Sequence, residues 1–220
     1  MLHEQASRRR LRIPLEMGGK NPTIVLGDCD FNLAVENVVN GAFFSTGQKC
    51  TATSRAIVEE AIFDDFVKIL VEKAKKLRVG NGMEKGIEMG PCVDENQLKT
   101  VLKYIEVGKK EGAQLLCGGN RLTGLGYDKG YFVEPTIFGN VTPEMTIAQE
   151  EIFGPVLVVL PVKDFEAAIQ MANHVKFGLS ASLLTNQLNQ VFAYINKIEA
   201  GLIIVNLPSA GVEYQLPFGG

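Results

Sequence analysis

Apolar residues along the chain follow two spacings, one typical of buried strands and the other of amphipathic helices. Continuous apolar runs bounded by glycine, aspartate or asparagine predict strands at residues 22–26, 56–58, 114–117, 156–162, 179–184 and 201–206. Apolar residues that recur every three or four positions predict helices at residues 30–43, 61–77, 94–111, 164–172 and 189–198. Strands that alternate with amphipathic helices indicate an α/β fold in which a mainly parallel sheet is flanked by helices.

Several segment ends carry signals of their own. Asp30 and Asp164 are expected to cap the helices that follow them, because an aspartate side chain can accept a free N–H of the first turn. Residues 80–90 are predicted to form a turn-rich loop. Residues 131–138 are predicted as a further strand, in which Pro135 favours an edge position or a bulge because proline cannot donate to a sheet.

Composition and charge limit the classes of partner. With 220 residues, of which 46% are hydrophobic, the chain can bury a core of its own, and one compact domain is expected. The formal net charge of -3 argues against nucleic acid or an anionic membrane as a partner, since both select basic surfaces. The one basic cluster is interpreted as a solvated helix face and consists of Arg8, Arg9, Arg10 and Arg12.

No apolar stretch reaches the roughly 18 residues that a membrane helix requires, and residues 1–12 lack the apolar region of a signal peptide. We therefore expect a soluble, cytoplasmic protein. The two histidines, His3 and His174, are far apart and have no cysteine pair beside them, so no transition-metal site is predicted. Widely spaced cysteines without a C-x-x-C pair indicate free thiols; they are Cys29, Cys50, Cys92 and Cys117.

The segment FFSTGQKCTA, residues 43–52, places Cys50 just after a glycine break and before small residues that leave its thiol accessible. Backbone N–H groups, a helix dipole or the adjacent Lys49 could each stabilise the reactive thiolate. Taken alone, the segment favours an ordinary core cysteine over a nucleophile, since buried free cysteines are common.

The segment LEMGGKNP, residues 15–22, places Glu16 before a Gly-Gly turn that leads into a predicted buried strand. Glycines allow a close approach between the backbone and a ligand, and a carboxylate at such a turn can act as a general base. A solvated loop glutamate is the alternative for this segment alone. Nearby, Arg55 could contact a substrate carboxylate or form a structural salt bridge.

Together the two segments resemble the glutamate and cysteine motifs of the aldehyde dehydrogenase superfamily, in the family's order. Two further segments resemble family elements, EEIFGPV at residues 150–156 and PFGG at residues 217–220. The four matches span nearly the whole chain. The resemblance implies the family's three-layer α/β catalytic domain and the oxidation of an aldehyde to a carboxylic acid with NAD or NADP.

The resemblance also implies roles for individual residues. Cys50 would attack the aldehyde carbon to form a thiohemiacetal, and Glu16 would activate the water that hydrolyses the later thioester. The Cys50 N–H would supply one donor of an oxyanion hole. Glu151 would bind a hydroxyl of the nicotinamide ribose, and Phe153 and Gly18 would line the cofactor site.

On the substrate side, the resemblance implies that Asn206 and Phe218 shape the aldehyde tunnel and that Lys49 and Thr51 contact the substrate. Residues 47–55 and 208–213 resemble family members that act on small semialdehydes, such as 2-oxoglutarate semialdehyde. Full-length relatives are homo-oligomers.

The domain organisation implied by the resemblance is a segment at residues 1–15 leading from the cofactor-binding domain, followed by a thiol-bearing catalytic domain at residues 16–220. Because the main dinucleotide-binding domain lies outside these residues, little or no dehydrogenase turnover and a residual thiol esterase activity are expected. Two alternatives stay open. One is a cofactor-free thiol hydrolase, for which His174 would be the base, and the other is a non-catalytic fragment.

Overall fold

The computed structural model describes residues 2–11, 13, 15–124, 126–211 and 213–219. The strands are β1 (Asn21–Val25), β2 (Thr53–Glu59), β3 (Gln114–Cys117), β4 (Thr136–Gly139), β5 (Val156–Val162), β6 (Ser180–Leu184) and β7 (Leu202–Val205). The α-helices are α1 (Leu2–Arg8), α2 (Phe31–Phe43), α3 (Phe63–Lys76), α4 (Glu95–Lys110), α5 (Thr146–Gln149), α6 (Phe165–Asn173) and α7 (Leu188–Lys197). Short 3-10 turns occupy Phe44–Gly47, Glu60–Ile62 and Tyr127–Lys129.

The strands of the described residues form one seven-stranded sheet in the order β3-β4-β5-β2-β1-β6-β7. Neighbouring strands are parallel except for the pair β3 and β4, which is antiparallel. This arrangement confirms the predicted α/β fold with a mainly parallel sheet.

Alternate residues of the central strands face two separate cores, as the pleat of a strand requires. Val158 and Leu160 of β5 pack with α4, α6 and α7, whereas Leu157 and Val159 pack with α2 and α3. The sheet is therefore covered by helices on both faces, which gives the three layers that were expected.

Aspartate caps begin three of these helices. Asp30 and Asp164 accept N–H bonds from Leu33 at 3.1 Å and from Ala167 at 2.8 Å, as predicted. Asp94 caps α4 in the same way through the N–H of Gln97. Such caps satisfy N–H groups that have no partner inside the helix, so they fix where each helix begins.

The predicted strand at residues 131–138 is wrong in its first half, because β4 begins only at Thr136. Residues 132–134 instead bond the segment 120–122, through Leu122 N–H to Phe132 O and Glu134 N–H to Asn120 O. Pro135 thus stands before the strand rather than within it. The pairing of β3 with β4 contains a bulge, but it lies in β3, between Leu115 and Cys117, and not at Pro135.

The basic cluster lies at the end of α1, where Arg8, Arg9 and Arg10 are exposed, while Arg12 lies outside the described residues. Within the part of the chain that the structure describes, no helix combines the length and apolar character needed to cross a membrane. Residues 2–11, 13, 15–124, 126–211 and 213–219 also contain no cluster of three or more His, Cys, Asp or Glu side chains suited to a metal ion.

Arg55 of β2 ties helix α6 to the sheet. Its side chain is buried and donates through Nε to Lys20 O at 2.9 Å, and through its two terminal nitrogens to Met171 O and Ala172 O at 2.9 and 2.7 Å. The last two carbonyls lie in the final turn of α6, where a cation is favoured by the helix dipole, and Met171 O also accepts the N–H of His174 at 3.3 Å. The described partners of Arg55 are thus backbone carbonyls, not a carboxylate.

We predict that Arg55→Met lowers the free energy of unfolding by about 3 kcal/mol, because three carbonyls lose their charged donor inside the protein. Urea denaturation measures this change. The matched control is Arg78→Met, which removes an exposed guanidinium whose ion pair with Glu88 is 3.9 Å long, and it should change stability by less than about 0.5 kcal/mol. Equal effects of the two substitutions would contradict the structural role of Arg55.

Candidate active site

Three of the four sequence motifs, the glutamate motif, the cysteine motif and EEIFGPV, converge because each of these three immediately precedes a parallel strand. Residues 18–20 lead into β1, residues 50–52 into β2 and residues 151–155 into β5. The amino ends of adjacent parallel strands lie at the same edge of a sheet, so the three segments meet there. The three segments therefore meet at the amino ends of the strands, whereas ligand sites of open α/β sheets more often lie at the carboxyl ends.

The turn that carries Cys50 follows an unusual backbone. Ser45, Thr46 and Gly47 have φ values of 57°, 60° and 63°, so three successive residues are left-handed. Residues other than glycine adopt this conformation only when the surroundings enforce it. One such restraint is the hydrogen bond from Thr46 Oγ1 to Gly90 O, at 3.1 Å.

Gln48 fixes the same turn from its other side. Its Nε2 donates to Pro91 O at 3.2 Å, and its Oε1 accepts the N–H of Val93 at 2.9 Å. The glutamine of the cysteine motif therefore attaches the Cys50 turn to residues 90–93, which explains its place in the motif without a catalytic role.

Asn21, at the start of β1, makes the most extensive contact with the Cys50 turn. Its Nδ2 donates to Cys50 O and to Ala52 O, both at 2.8 Å. Its Oδ1 accepts the N–H of Ser180 in β6 at 3.1 Å. Both amide hydrogens and the amide oxygen are used, so this buried side chain fixes the Cys50 turn relative to two strands.

The two glycines of the glutamate motif make room for the other motifs. A Cβ atom on Gly19 would lie 2.4 Å from Cys50 O, and one on Gly18 would lie 2.0 Å from Glu151 Oε2. Glu151 Oε1 in addition accepts the N–H of Gly19 at 3.0 Å. Residue 19 must therefore be glycine for the backbone of the Cys50 turn to lie against it, and glycine at residue 18 leaves room for the Glu151 carboxylate on the other side of the same turn.

The loop before β5 is held in place by Gln97 of α4. Its Nε2 donates to Ile152 O at 2.9 Å and to Phe153 O at 2.8 Å. Phe153 has a φ of 56° and leaves 39% of its side chain exposed, although an aromatic residue of this size usually packs inside. A small cleft beside it is lined by Gly19, Gly47, Lys49, Ser54, Glu151 and Phe153.

The predicted site residues differ in exposure. Cys50 is half-buried, whereas Glu16 and Lys49 are exposed. Thr51 is 2% exposed, so its side chain does not reach the surface of the cleft. The flanks of Glu16 do not shield its carboxylate, because Leu15 and Met17 are themselves exposed.

Asn206 and Phe218 lie at opposite ends of the strands: Asn206 lies at the carboxyl ends and Phe218 at the amino ends. Asn206 follows β7, and its amide bonds both the N–H and the O of Thr185, beyond the carboxyl end of β6. The structure thus brings Asn206 together with Thr185 rather than with Cys50. Phe218 is half-buried, and its neighbour Gly219 lies beside Gly201, before β7 and on the edge that carries the motifs.

Lys20 is a residue of the motif whose position the sequence did not indicate, because a lysine in a turn is usually exposed. It is 1% exposed, and among the described residues its Nζ has no hydrogen-bond partner. Burial, reinforced by the nearby Arg55 charge, lowers the pKa of Lys20 to about 7.

The four cysteines are free thiols, as the sequence predicts. Burial raises the pKa of Cys29, Cys92 and Cys117 to about 11, with help from Asp28 at Cys29. These three thiols therefore stay protonated at neutral pH, where only the thiolate reacts rapidly. The ring of His174 is exposed, and no hydrogen bond of the described residues joins it to Cys50.

Comparison with known proteins gives one consistent result. The model of the aldehyde dehydrogenase family matches residues 1–220. The chain is 50% identical over 220 residues to "Alpha-ketoglutaric semialdehyde dehydrogenase" of Bacillus subtilis, covering 100% of this chain and 45% of that protein. It is 48% identical over 212 residues to "2,5-dioxopentanoate dehydrogenase" of Saccharolobus solfataricus, covering 96% of this chain and 43% of that protein.

Among solved structures, betaine aldehyde dehydrogenase from Staphylococcus aureus in complex with NAD+ superimposes with a TM-score of 0.93 and 36% identity. The match covers 99% of this chain and 43% of that one. The chain thus spans less than half the length of the relatives it matches.

We predict that Gly19→Ala slows the reaction of Cys50 with a thiol-directed label on the order of tenfold, because the added methyl group must displace the Cys50 turn. Labelling at neutral pH, with the modified cysteine located by mass spectrometry, measures the rate. The control is Gly82→Ala, whose Cβ would meet no atom within 4 Å. If both variants label Cys50 at the unmodified rate, Gly19 does not set the position of the turn.

A second prediction concerns the pH dependence of stability. Between the folded-state pKa of Lys20, about 7, and its ordinary value of 10.5, the unfolded chain binds more protons than the folded one. This lysine therefore makes the free energy of unfolding rise with pH across that interval. Lys20→Met should reduce the rise, as measured by urea denaturation near pH 7 and near pH 9. An identical rise in both proteins would show that Lys20 is not buried as a free amine.

Proposed function

The chain belongs to the aldehyde dehydrogenase family, and we propose that it carries the thiol chemistry by which that family oxidises an aldehyde to a carboxylic acid. The observation that carries the proposal is the Gly18–Gly19 turn, which holds the Cys50 turn on one side and the Glu151 carboxylate on the other. A nucleophile and a cofactor-binding group are thereby brought together by a single short segment.

Cys50 is the proposed nucleophile. Its thiolate sulfur adds to the carbonyl carbon of the aldehyde, and the π electron pair of the C=O bond moves to the oxygen, which becomes the oxyanion of a thiohemiacetal. Among the described residues the Cys50 N–H has no acceptor, so it is free to donate to this oxyanion. Because Asn21 fixes the carbonyls of Cys50 and Ala52, the turn need not reorganise during the attack.

The residues beside Cys50 fit a nicotinamide riboside. The Glu151 carboxylate uses one oxygen for the Gly19 N–H and retains acceptor capacity for ribose hydroxyl groups. Phe153 offers an exposed aromatic face next to it. A nicotinamide bound there would accept the hydride that leaves the thiohemiacetal carbon, so that a thioester remains on Cys50. The choice between NAD and NADP does not follow from these residues.

Glu16 is the proposed general base for the second half of the reaction. It lies three residues before Gly19, whose Cα packs against the carbonyl of Cys50, and its carboxylate is exposed to water. A water molecule that transfers its proton to Glu16 attacks the thioester carbon, and the thiolate of Cys50 leaves as the carboxylic acid forms.

The proposed substrate class is a small semialdehyde that carries a carboxylate. Two relatives at about half identity are named for such substrates, "Alpha-ketoglutaric semialdehyde dehydrogenase" and "2,5-dioxopentanoate dehydrogenase". Lys49, exposed next to Cys50, supplies a positive charge for the distal carboxylate. Phe218 is proposed for the aldehyde side of the site, whereas Asn206 and the buried Thr51 are not.

Ester hydrolysis tests the nucleophile on the 220-residue chain, because acyl transfer to a thiol needs no nicotinamide. With an activated aryl ester, Cys50→Ala should abolish both the initial burst and the steady release of the phenol. Cys29→Ala is the control and should retain both, since that thiol is protonated at neutral pH. Turnover that survives in Cys50→Ala would contradict the proposed nucleophile.

The same assay tests the base. Glu16→Gln should keep the burst, which reports acylation of Cys50, and should slow steady turnover by roughly 100-fold, as expected when a general base is removed. Glu60→Gln, at an exposed position of the turn after β2, is the control and should change neither phase. A lost burst in Glu16→Gln would assign Glu16 to a different step.

A further inference from the structure

A chain of buried hydroxyl groups ends on the carbonyl oxygen of Thr51, the residue that follows Cys50. Thr23 Oγ1 lies 3.2 Å from Thr53 Oγ1, which lies 2.7 Å from Ser209 Oγ. Ser209 Oγ in turn donates to Thr51 O at 3.0 Å. The three hydroxyl-bearing residues are each at most 2% exposed, so water cannot replace these bonds.

The single hydrogen of each hydroxyl fixes the direction of the chain. Ser209 donates its hydrogen to Thr51 O, so Thr53 must donate to Ser209 and Thr23 must donate to Thr53. Loss of the Ser209 hydroxyl leaves a buried carbonyl and a buried O–H without partners. Loss of the Thr23 hydroxyl leaves only an unused lone pair on Thr53, which costs much less.

Ser209 and the residues before it are held by strand β6 on one side and by helix α2 on the other. Ser180 and Ser182 of β6 donate to Ser209 O and Leu207 O, at 2.8 and 2.6 Å. On the side of α2, Asn37 Nδ2 donates to Asn206 O at 3.2 Å. A Cβ on Gly41 of α2 would lie 2.2 Å from Thr53 Oγ1, so the helix packs directly on the hydroxyl chain.

We propose that Ser209 and Thr53 are positioning residues for Cys50, and that they connect the Cys50 turn to the segment that continues to Phe218. This inference rests on the proposed function of Cys50. The segment 206–209 is fixed between β6 and α2, and Ser209 transmits that position to the carbonyl of Thr51, the residue that follows the nucleophile. The aldehyde side of the site and the nucleophile are thereby held at a fixed position relative to each other.

The test measures how fast Cys50 reacts with a thiol-directed label and how large the ester burst is. Ser209→Ala should slow both acylation and labelling of Cys50 about tenfold, through the unpaired carbonyl of Thr51. Thr53→Val should slow them as well, and Thr53→Ser, which keeps the hydroxyl, should restore at least half of the unmodified rate. The steady hydrolysis of the acylated protein should change much less, because Glu16 and its water are not displaced.

Thr23→Val is the matched control at the far end of the chain, and its rates should stay within about twofold of the unmodified protein. If Thr23→Val is as slow as Ser209→Ala, the effect is one of general stability and the positioning role is overturned. If Ser209→Ala does not fold, the comparison of Thr53→Val with Thr53→Ser decides, and equal rates in those two variants overturn the proposal.

The outcome for the unmodified chain separates the two proposals. If its Cys50 reacts no faster than Cys29, the proposed nucleophile fails. If Cys50 is selectively labelled and Ser209→Ala labels it equally fast, the proposed function stands and only the positioning role is overturned.

Discussion

The side-chain amide of Asn21 is the contact on which the arrangement of the site depends. It bonds the carbonyls of Cys50 and Ala52 and the N–H of Ser180, so that the Cys50 turn, β1 and β6 share one buried group. A buried amide with every donor and acceptor satisfied is rigid, because any shift leaves a polar group unpaired. The left-handed residues before Cys50 can persist only against such restraints.

The same constraint explains the composition of the motifs. Since Asn21 draws the Cys50 turn onto the start of β1, the residue before Lys20 must lack a side chain, and a Cβ on Gly19 would indeed collide with Cys50 O. Glu151 then occupies the space beside Gly18. Most of the motif residues around Glu16 and Cys50 thus bring two backbone segments together, and few of them are proposed to take part in the chemistry.

The sequence predicts the fold well because the fold follows from local signals. Apolar runs and aspartate caps mark β5, α2 and α6 nearly to the residue. At residues 131–138 the same reasoning failed, since a local β pattern does not reveal which segment pairs with it. Contacts between residues distant in sequence could not be predicted either. The spacing of apolar residues does not indicate the bond from Ser209 to Thr51 O or the burial of Lys20.

The most direct test of the central claim is hydrogen exchange of individual backbone amides in the unmodified chain and in Asn21→Ala. The account predicts that exchange accelerates locally, at Ser180 and in residues 48–53, while the amides in the middle of β2 and β5 keep their protection. Uniform acceleration across the sheet would mean that Asn21 supports the whole fold rather than the Cys50 turn. Unchanged exchange at residues 48–53 would contradict the claim that this amide holds Cys50 in place.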